Sequence, residues 1–234
     1  VGLVVGFLSG LVGIGGGAIV VPAMTWALTQ QGVSSQHVLH VALGTSMATV
    51  AVVCFSSARA HHQHGAVDWS IVRRMTPGIV AGGFFGTWLA PYIPTFPLAV
   101  FFAIMISYAA TNMLIPWKPR AAGQLPGALG LFIAGFVICT IASLAAVGGA
   151  AMTIPFLAWA SVPFHTAIGT AVGVSVPLAL ASTIGYIVNG LDHAGLPPFS
   201  LGYVHLPAFV GIAIAAAVLT VLVLAVVPKQ LAPN

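Results

Sequence analysis

Charged residues are almost absent from this chain. Among its 234 residues, 6 are Lys or Arg and 2 are Asp or Glu, so only 3% of the sequence is charged. A soluble domain carries about 25%. Because so few charges cannot solvate a globular surface and 59% of the residues are apolar, the composition predicts a polytopic protein embedded in a lipid bilayer. The basic residues lie at the ends of apolar runs, so the net charge of +4 does not indicate a nucleic-acid partner.

Acidic residues are missing from the apolar runs, since Asp68 and Asp192 both lie in linkers. Carboxylates within the membrane are typical of proton- and cation-coupled pumps, so an inorganic cation is a poor candidate for the substrate. The chain also lacks the GxxxxGK(S/T) phosphate loop of a primary pump, and no nucleophile–base–acid triad indicates an enzyme. Cys54 and Cys139 lie in apolar runs and are expected to be small buried hydrophobic residues. The chain begins without a basic n-region, and we expect no signal peptide.

Long apolar runs account for most of the sequence. They cover about residues 1–28, 38–58, 70–90, 97–116, 126–160, 165–188 and 204–228. A spanning helix needs about 20 such residues, so the pattern predicts an all-α transmembrane helical bundle of seven, or eight, membrane segments. The run 126–160 is too long for one straight span, and either a tilted, broken helix or a re-entrant hairpin fits it.

Basic residues predict the orientation of these segments, because they concentrate on the cytoplasmic side of inner-membrane proteins. Two linkers, separated by two crossings, carry most of them: Arg59, Arg73 and Arg74 flank the first, and Lys118 and Arg120 lie in the second. Both linkers are therefore expected on the cytoplasmic side. Lys229 falls on the same side only if the region after the second linker crosses the membrane an even number of times.

Two short motifs occur twice in the same order. "GIGGGAIVVP" at residues 13–22 resembles "AVGGAAMTIP" at 146–155. "HVALGTS" at 40–46 resembles "HTAIGTA" at 165–171. Two matched motifs in one order indicate an internal repeat.

The repeat predicts two related halves, residues 1–117 and 126–234, joined by a central cytoplasmic linker at 118–125. In secondary transporters, such halves meet around a substrate site near the middle of the membrane. Counting crossings favours a parallel repeat, whereas hairpins at the glycine motifs would favour an inverted one.

The glycine clusters interrupt the apolar runs in which they lie. Each glycine costs about 1 kcal/mol relative to alanine in a helix interior, so the clusters predict broken or re-entrant helices. A break bares backbone N–H groups, and a helix that starts after it directs the positive end of its dipole there, which makes an anion site. Tight packing between membrane helices is the alternative role of small residues. The candidate anion-binding glycines are Gly15, Gly16, Gly17, Gly148 and Gly149.

Polar side chains accompany the second motif in each half. The hydroxyl groups of Thr45, Ser46 and Thr170 can donate to an anion, although membrane Ser and Thr commonly bond the carbonyls of their own helix. His40 and His165 begin their predicted helices. Histidine is the side chain type whose charge most readily changes near neutral pH. We therefore predict that the hydroxyls bind substrate and that the histidines tune its charge or carry a proton. A structural role at the membrane interface is the alternative for the histidines.

Three further histidines, His61, His62 and His64, lie close together in the sequence, a pattern that can indicate a metal site. A structural zinc site needs four ligands in fixed geometry, and the nearby sequence offers no cysteine and no carboxylate except Asp68. We expect these histidines at a helix end or loop at the membrane surface, with no bound metal and no other cofactor.

The motifs together resemble the sulfite exporter TauE/SafE family over nearly the whole chain. The resemblance rests on "GLVGIGGGAIVVPAM", "HVALGTSMATV" and "HHQHGAVDW", and on "GGAAMTIPFL", "HTAIGTAVGVSVPLA" and "LPPFSLGYVHLPA". It implies a multi-pass inner-membrane permease with two repeated halves that moves sulfur-containing anions such as sulfite, sulfoacetate or another sulfonate. The chain departs from the family pattern at Ala150, which stands where the first half has Gly17, and at its ending, "VPKQLAPN", where members continue through another helix. A second half that lacks its last helix is the expectation from this ending.

The sequence therefore predicts a secondary transporter for a small anion rather than an enzyme. Two alternatives stay open: a membrane subunit that scaffolds a partner and uses its glycines only for packing, and a membrane metal or haem protein that uses its histidines. The expected partners are the anion and the lipid bilayer, and a homo-oligomer is compatible with the sequence.

Overall fold

The computed structural model describes residues 17–33, 37–114, 123–191, 193 and 196–214, and these residues are mostly helical. Seven α-helices have defined bounds: α1 Gly17–Gln30, α2 Val38–Gln63, α3 Trp69–Leu89, α4 Thr95–Leu114, α5 Ala128–Leu144, α6 Ala150–Trp159 and α7 Phe164–Gly190. A 3₁₀ turn, Ala90–Tyr92, joins α3 to the segment before α4. Residues 206–214 form a further helical segment, α8.

One small β-hairpin departs from the predicted all-helical fold. Strands β1, Ser200–Leu201, and β2, Val204–His205, pair antiparallel just before α8. Gly202 lies between them with φ of +55°, a conformation that side-chain-bearing residues seldom adopt. The glycine therefore permits the tight reversal that this short connection needs.

Three of the described helices are long and apolar enough to cross a membrane: Val38–Gln63, Thr95–Asn112 within α4, and Phe164–Gly190. Within these apolar stretches, 78% of the residues in α2 and 61% in α7 are buried in the protein, against 17% in α4. Helices α2 and α7 therefore form the centre of the bundle, and α4 lies at its periphery, where its exposed apolar side chains suit contact with lipid.

Helices α5 and α6 form a hairpin that returns to the end of the bundle where it began. The Gly123 amide, just before α5, donates to the carbonyl of Trp159 at 3.3 Å, and the Ser161 hydroxyl donates to the Gly123 carbonyl at 2.8 Å. The chain therefore reverses between the two helices, at residues 145–149. With 17 and 10 residues, the two helices reach about 25 and 15 Å, and each is shorter than a full membrane span. The run 126–160 is therefore a helical hairpin and not one tilted, broken helix.

A ladder of glycines fixes α3 against α5. An added Cβ at any of three α3 glycines, four residues apart, would collide with a backbone carbonyl of α5: Gly78 with Phe132, Gly82 with Phe136 and Gly86 with Thr140. The order of these contacts makes the two helices parallel. Small residues at this spacing allow close backbone approach between helices in membranes.

Helices α2 and α7 run antiparallel. Thr45, near the start of α2, contacts His205, which follows α7. Thr170, near the start of α7, contacts Asp68, which follows α2. The beginning of each central helix thus lies beside the end of the other.

Candidate functional site

The second glycine motif lies at the tip of the α5–α6 hairpin. Residues 142–150 are all buried, and the chain is non-helical from the end of α5 at Leu144 to the start of α6 at Ala150. Within the described part of the chain, the backbone amides of Gly148, Gly149 and Ala150 donate to no recorded acceptor. Unbonded amides at a buried helix start are costly and provide donors for a ligand.

The first glycine motif meets this tip. Gly15 and Gly16 lie outside the described residues, but Gly17 begins α1 and is buried. A Cβ added at Gly17 would overlap the carbonyl oxygen of Ala146 and would lie 3.2 Å from the Ser46 hydroxyl. The structure therefore brings together the start of α1, the hairpin tip and α2, which are far apart in the sequence.

Two buried hydroxyls near this meeting point have no hydrogen-bond partner among the residues that the structure describes: the Oγ of Ser46 and the Oγ1 of Thr153. Thr153 lies in the first turn of α6, and its Oγ1 is 3.9 Å from the position that a Cβ would take at Gly149. The hydroxyl of Ser175 is nearby, but it donates to the Ala171 carbonyl of its own helix at 2.9 Å. Thr153 was not among the residues predicted from the sequence, although it lies within the second glycine motif, one turn after Gly149.

Thr45 and Thr170 each accept a hydrogen bond from a chain reversal that belongs to the other half of the sequence. We name residues 65–68, after α2, the first corner, and residues 202–205, after α7, the second corner. The Asp68 amide donates to the Thr170 hydroxyl oxygen at 2.9 Å, and the His205 amide donates to that of Thr45, also at 2.9 Å. The sequence predicted these hydroxyls as substrate ligands; their oxygens hold the two corners in place.

The glycine before each threonine makes room for the same corner. A Cβ at Gly44 would collide with the Tyr203 carbonyl, and a Cβ at Gly169 would collide with that of Ala66. The glycine–threonine pair common to the two motifs thus makes an equivalent contact in α2 and in α7: the glycine leaves space for a corner, and the threonine accepts its hydrogen bond. Sequence reasoning did not identify the two corners as functional segments, because "GAVD" and "GYVH" share only a glycine and a valine.

His40 and His165 occupy different environments. His40 is 5% exposed, its Nε2 lies 3.0 Å from the Ala90 carbonyl, and its ring centroid lies 5.5 Å from that of Tyr203. His165 is exposed in the first turn of α7. The shared motif therefore gives one buried and one exposed histidine.

The other histidine cluster lies at the end of α2, as predicted. His61 and His62 are in its last turn, His64 follows it, and the His62 Nδ1 accepts a hydrogen bond from the Trp69 indole at 2.9 Å. Among the described residues, no three His, Cys, Asp or Glu side chains gather in a way that could hold a metal ion.

A small apolar cavity of about 10 Å³ lies beside the hairpin tip, between Met105 and Tyr108 of α4 and Gly148 and Met152 of the hairpin. This volume suffices for about one water molecule. A larger molecule that reached the tip from this side would therefore require α4 or the hairpin to move.

Known proteins agree with a role in membrane transport. The chain matches the family described as Sulfite exporter TauE/SafE over residues 1–230. A "probable membrane transporter protein" from Haemophilus influenzae is 33% identical over 213 residues, which cover 91% of this chain and 81% of that protein. Proteins of the same description from Methanocaldococcus jannaschii and Bacillus subtilis are 27% and 28% identical, over 88% and 79% of this chain and 76% of each relative. No solved structure matches the chain. The chain belongs to the sulfite exporter TauE/SafE family of membrane transporters.

Proposed function

We propose that this protein is a secondary transporter that carries a small sulfur-containing anion, such as sulfite, sulfoacetate or another sulfonate, across the inner membrane. The observation that supports it most is the contact between Gly17 and Ala146. It joins the start of α1 to the hairpin tip before α6 in the buried interior of the bundle. Two helix starts beside unbonded amides make a site that favours negative charge.

The residues around this contact offer the donors that an anion needs. The amides of Gly148 and Gly149 and the hydroxyls of Ser46 and Thr153 have no other acceptor in the described part of the chain. An oxyanion between them would convert buried, unbonded donors into charge-assisted hydrogen bonds. The predicted contributions of Gly15 and Gly16 fall outside the described residues and belong to the same proposal.

The antiparallel central helices suit a carrier with inverted halves. Each of the halves 1–117 and 126–234 donates one backbone hydrogen bond to a threonine of the other half, to Thr170 in one case and to Thr45 in the other. The two hydrogen bonds lie at opposite ends of the α2–α7 pair. Inverted repeats can interchange their conformations and so expose one central site to either side of a membrane. In this proposal, the exposed His165 and the buried His40 tune the charge along the two routes.

Transport by purified protein in liposomes tests the proposal. We expect uptake of radiolabelled sulfite, a several-fold reduction in Ser46→Ala and Thr153→Val, and no change in Ser107→Ala. Ser107 is the matched control because it is exposed on α4 and its hydroxyl donates to its own helix, to the Ala103 carbonyl at 2.8 Å. Sulfite and sulfoacetate should also raise the unfolding temperature of the wild type in proportion to their affinity. If neither ligand is transported nor stabilises the protein, the substrate class is wrong, and a scaffold role becomes the better explanation.

A further inference from the structure

The two corners are matched in backbone geometry as well as in their contacts. Each begins with a glycine at positive φ, Gly65 at +67° and Gly202 at +55°. Each ends at the residue before a helix, Asp68 before α3 and His205 before α8. Each corner thereby ties the start of one helix to the second turn of a central helix from the other half of the chain.

The last residue of each corner also caps the helix that follows it. Asp68 accepts hydrogen bonds at its Oδ1 from the amides of Ser70 at 2.9 Å and Ile71 at 3.3 Å. His205 accepts one at its Nδ1 from the amide of Ala208 at 3.3 Å. In each case the backbone amide holds a threonine and the side chain satisfies the free amides of a helix start.

The corners lie at opposite ends of the bundle, because α2 and α7 are antiparallel. The second corner lies next to the candidate anion site, because it is bound to Thr45, and the neighbouring residue Ser46 faces Gly17 in that site. The first corner is at the end that carries the exposed Arg59, Arg73 and Arg74, the end predicted to be cytoplasmic. Each corner is thus placed to close one end of the central helix pair.

The capping groups differ in one chemical respect. Asp68 caps α3 through a carboxylate oxygen, which is an acceptor with no N–H group of its own. The His205 imidazole accepts a hydrogen bond at Nδ1 only while that nitrogen is unprotonated, and protonation turns it into a donor facing the Ala208 amide. The positive charge would also oppose the positive end of the α8 dipole. Protonation therefore breaks the second corner's cap and leaves the first intact.

The surroundings of His205 favour its neutral form. Burial lowers its pKa from the ordinary value of 6.5. The titratable groups nearest this corner are Tyr203 in the corner, Tyr186 on α7, whose carbonyl accepts the Tyr203 amide at 3.2 Å, and the rings of His37, His40 and His193, which lie 5.4–6.5 Å from that of Tyr203. No carboxylate pairs with His205 among the described residues, and Asp192 of the same connection lies outside them.

We propose that residues 65–68 and 202–205 are the two gates of the carrier, and that protonation of His205 releases the second gate while the first stays closed. His205 is a positioning residue here, because its imidazole holds the start of α8 and does not touch the anion, and its backbone amide, which holds Thr45, lies in the same corner. The proposal rests on the proposed transport function and adds a proton-sensitive step at one side of it. Because burial lowers the pKa of His205 and so favours the neutral ring, the cap is present at neutral and higher pH and is lost as the pH falls through that lowered pKa.

Hydrogen exchange of the wild-type protein without substrate tests the gate directly. Amide protection in residues 206–210, corrected for the intrinsic effect of pH on exchange, should fall about fivefold between about pH 8 and about pH 5, the size expected for the loss of one N-cap bond. Residues 69–73, capped by Asp68, are the internal control and should keep their protection. Equal loss at both helices, or loss at neither, would overturn the proposal.

Three variants separate protonation from a general loss of structure. His205→Asn keeps a side-chain acceptor for the cap and removes the titration, so protection of residues 206–210 should become independent of pH. Asp68→His should transfer the pH dependence to residues 69–73, and Asp68→Asn should not. If His205→Asn keeps the wild-type pH dependence, another group is responsible and the assignment to His205 is wrong.

Sulfite flux adds a second readout. Acidifying only the side of the second corner should change the rate more in wild type and in Asp68→Asn than in His205→Asn, in which only the protonation of sulfite itself remains. A flux response as large in His205→Asn as in wild type would overturn the gate. Absence of any sulfite flux with the exchange result intact would instead count against the substrate alone, so the two proposals fail separately.

Discussion

Helices α2 and α7 carry the same pattern, HxAxGT, and use it in two different ways. The glycine and threonine make equivalent contacts in both helices: each pair receives a corner from the other half of the chain. The histidines do not match, because His40 is buried against Ala90 and Tyr203 while His165 is exposed. The two occurrences of this pattern therefore share the contacts of their glycine and threonine and differ in the surroundings of their histidine.

The largest losses of stability are expected at the positions where α2 and α7 make equivalent contacts. Gly44→Ala and Gly169→Ala would drive a Cβ into the backbone of a corner, Tyr203 in one case and Ala66 in the other. Backbone cannot move aside as a flexible side chain can, so each should cost about 3 kcal/mol despite alanine's higher helix propensity. Thermal unfolding in detergent measures this, with Gly127→Ala as control, since a Cβ there meets nothing within 4 Å. A tolerated alanine at one site only would show that the halves are not equivalent.

The next largest loss of stability is expected at the histidines, whose surroundings differ between α2 and α7. His40→Ala removes a buried ring and leaves the Ala90 carbonyl without its 3.0 Å contact, which should cost about 2 kcal/mol. His165→Ala, at an exposed position, should change stability by less than about 0.5 kcal/mol. Comparison of the two unfolding temperatures checks this. Equal losses would contradict the different environments.

Much of this fold was visible in the sequence, for a physical reason. Apolar run length reflects the thickness of the bilayer, so the helices were predicted from composition. The glycine motif in the second half predicted a break, and α5 and α6 are separated there. The hairpin was one of two interpretations, because hydropathy reports burial in lipid and not the direction of the chain.

Other features depend on contacts that one segment cannot encode. The α3 glycine pattern is plain in the sequence, but nothing in it names α5 as the partner. The unbonded hydroxyl of Thr153 is recognisable only once its surroundings are known, because most membrane threonines bond their own helix. The same holds for Thr45 and Thr170: their contacts with the corners could not be predicted from the sequence, and their predicted role as anion ligands stays a prediction, because each hydroxyl can still donate its proton.

A smaller effect would sharpen the comparison at these threonines. Thr45→Val and Thr170→Val keep the shape of the side chain and leave the amide of His205 or Asp68 without an acceptor. Each should cost about 1 to 2 kcal/mol, and Thr→Ser at the same positions should restore most of it. Thermal unfolding of the four variants gives the values. A valine variant as stable as wild type would mean that the corner is held by packing alone, without help from the hydrogen bond.

The smallest expected change in stability is at the glycine motifs, and it is an increase where the other variants lose stability. Ala146, at the hairpin tip, has φ of +45°, whereas the aligned residue of the first motif is Gly13. A residue with a Cβ pays roughly 1 kcal/mol in this left-handed region, and glycine does not. Ala146→Gly should therefore raise stability by up to about 1 kcal/mol, less the value of one buried methyl group. Because the Ala146 carbonyl packs on Gly17, the same change also loosens the contact on which the proposed anion site depends. A variant that unfolds at a higher temperature but carries sulfite more slowly would show that Ala146 holds the hairpin tip in place at some cost in stability. Faster transport by the more stable variant would contradict that explanation.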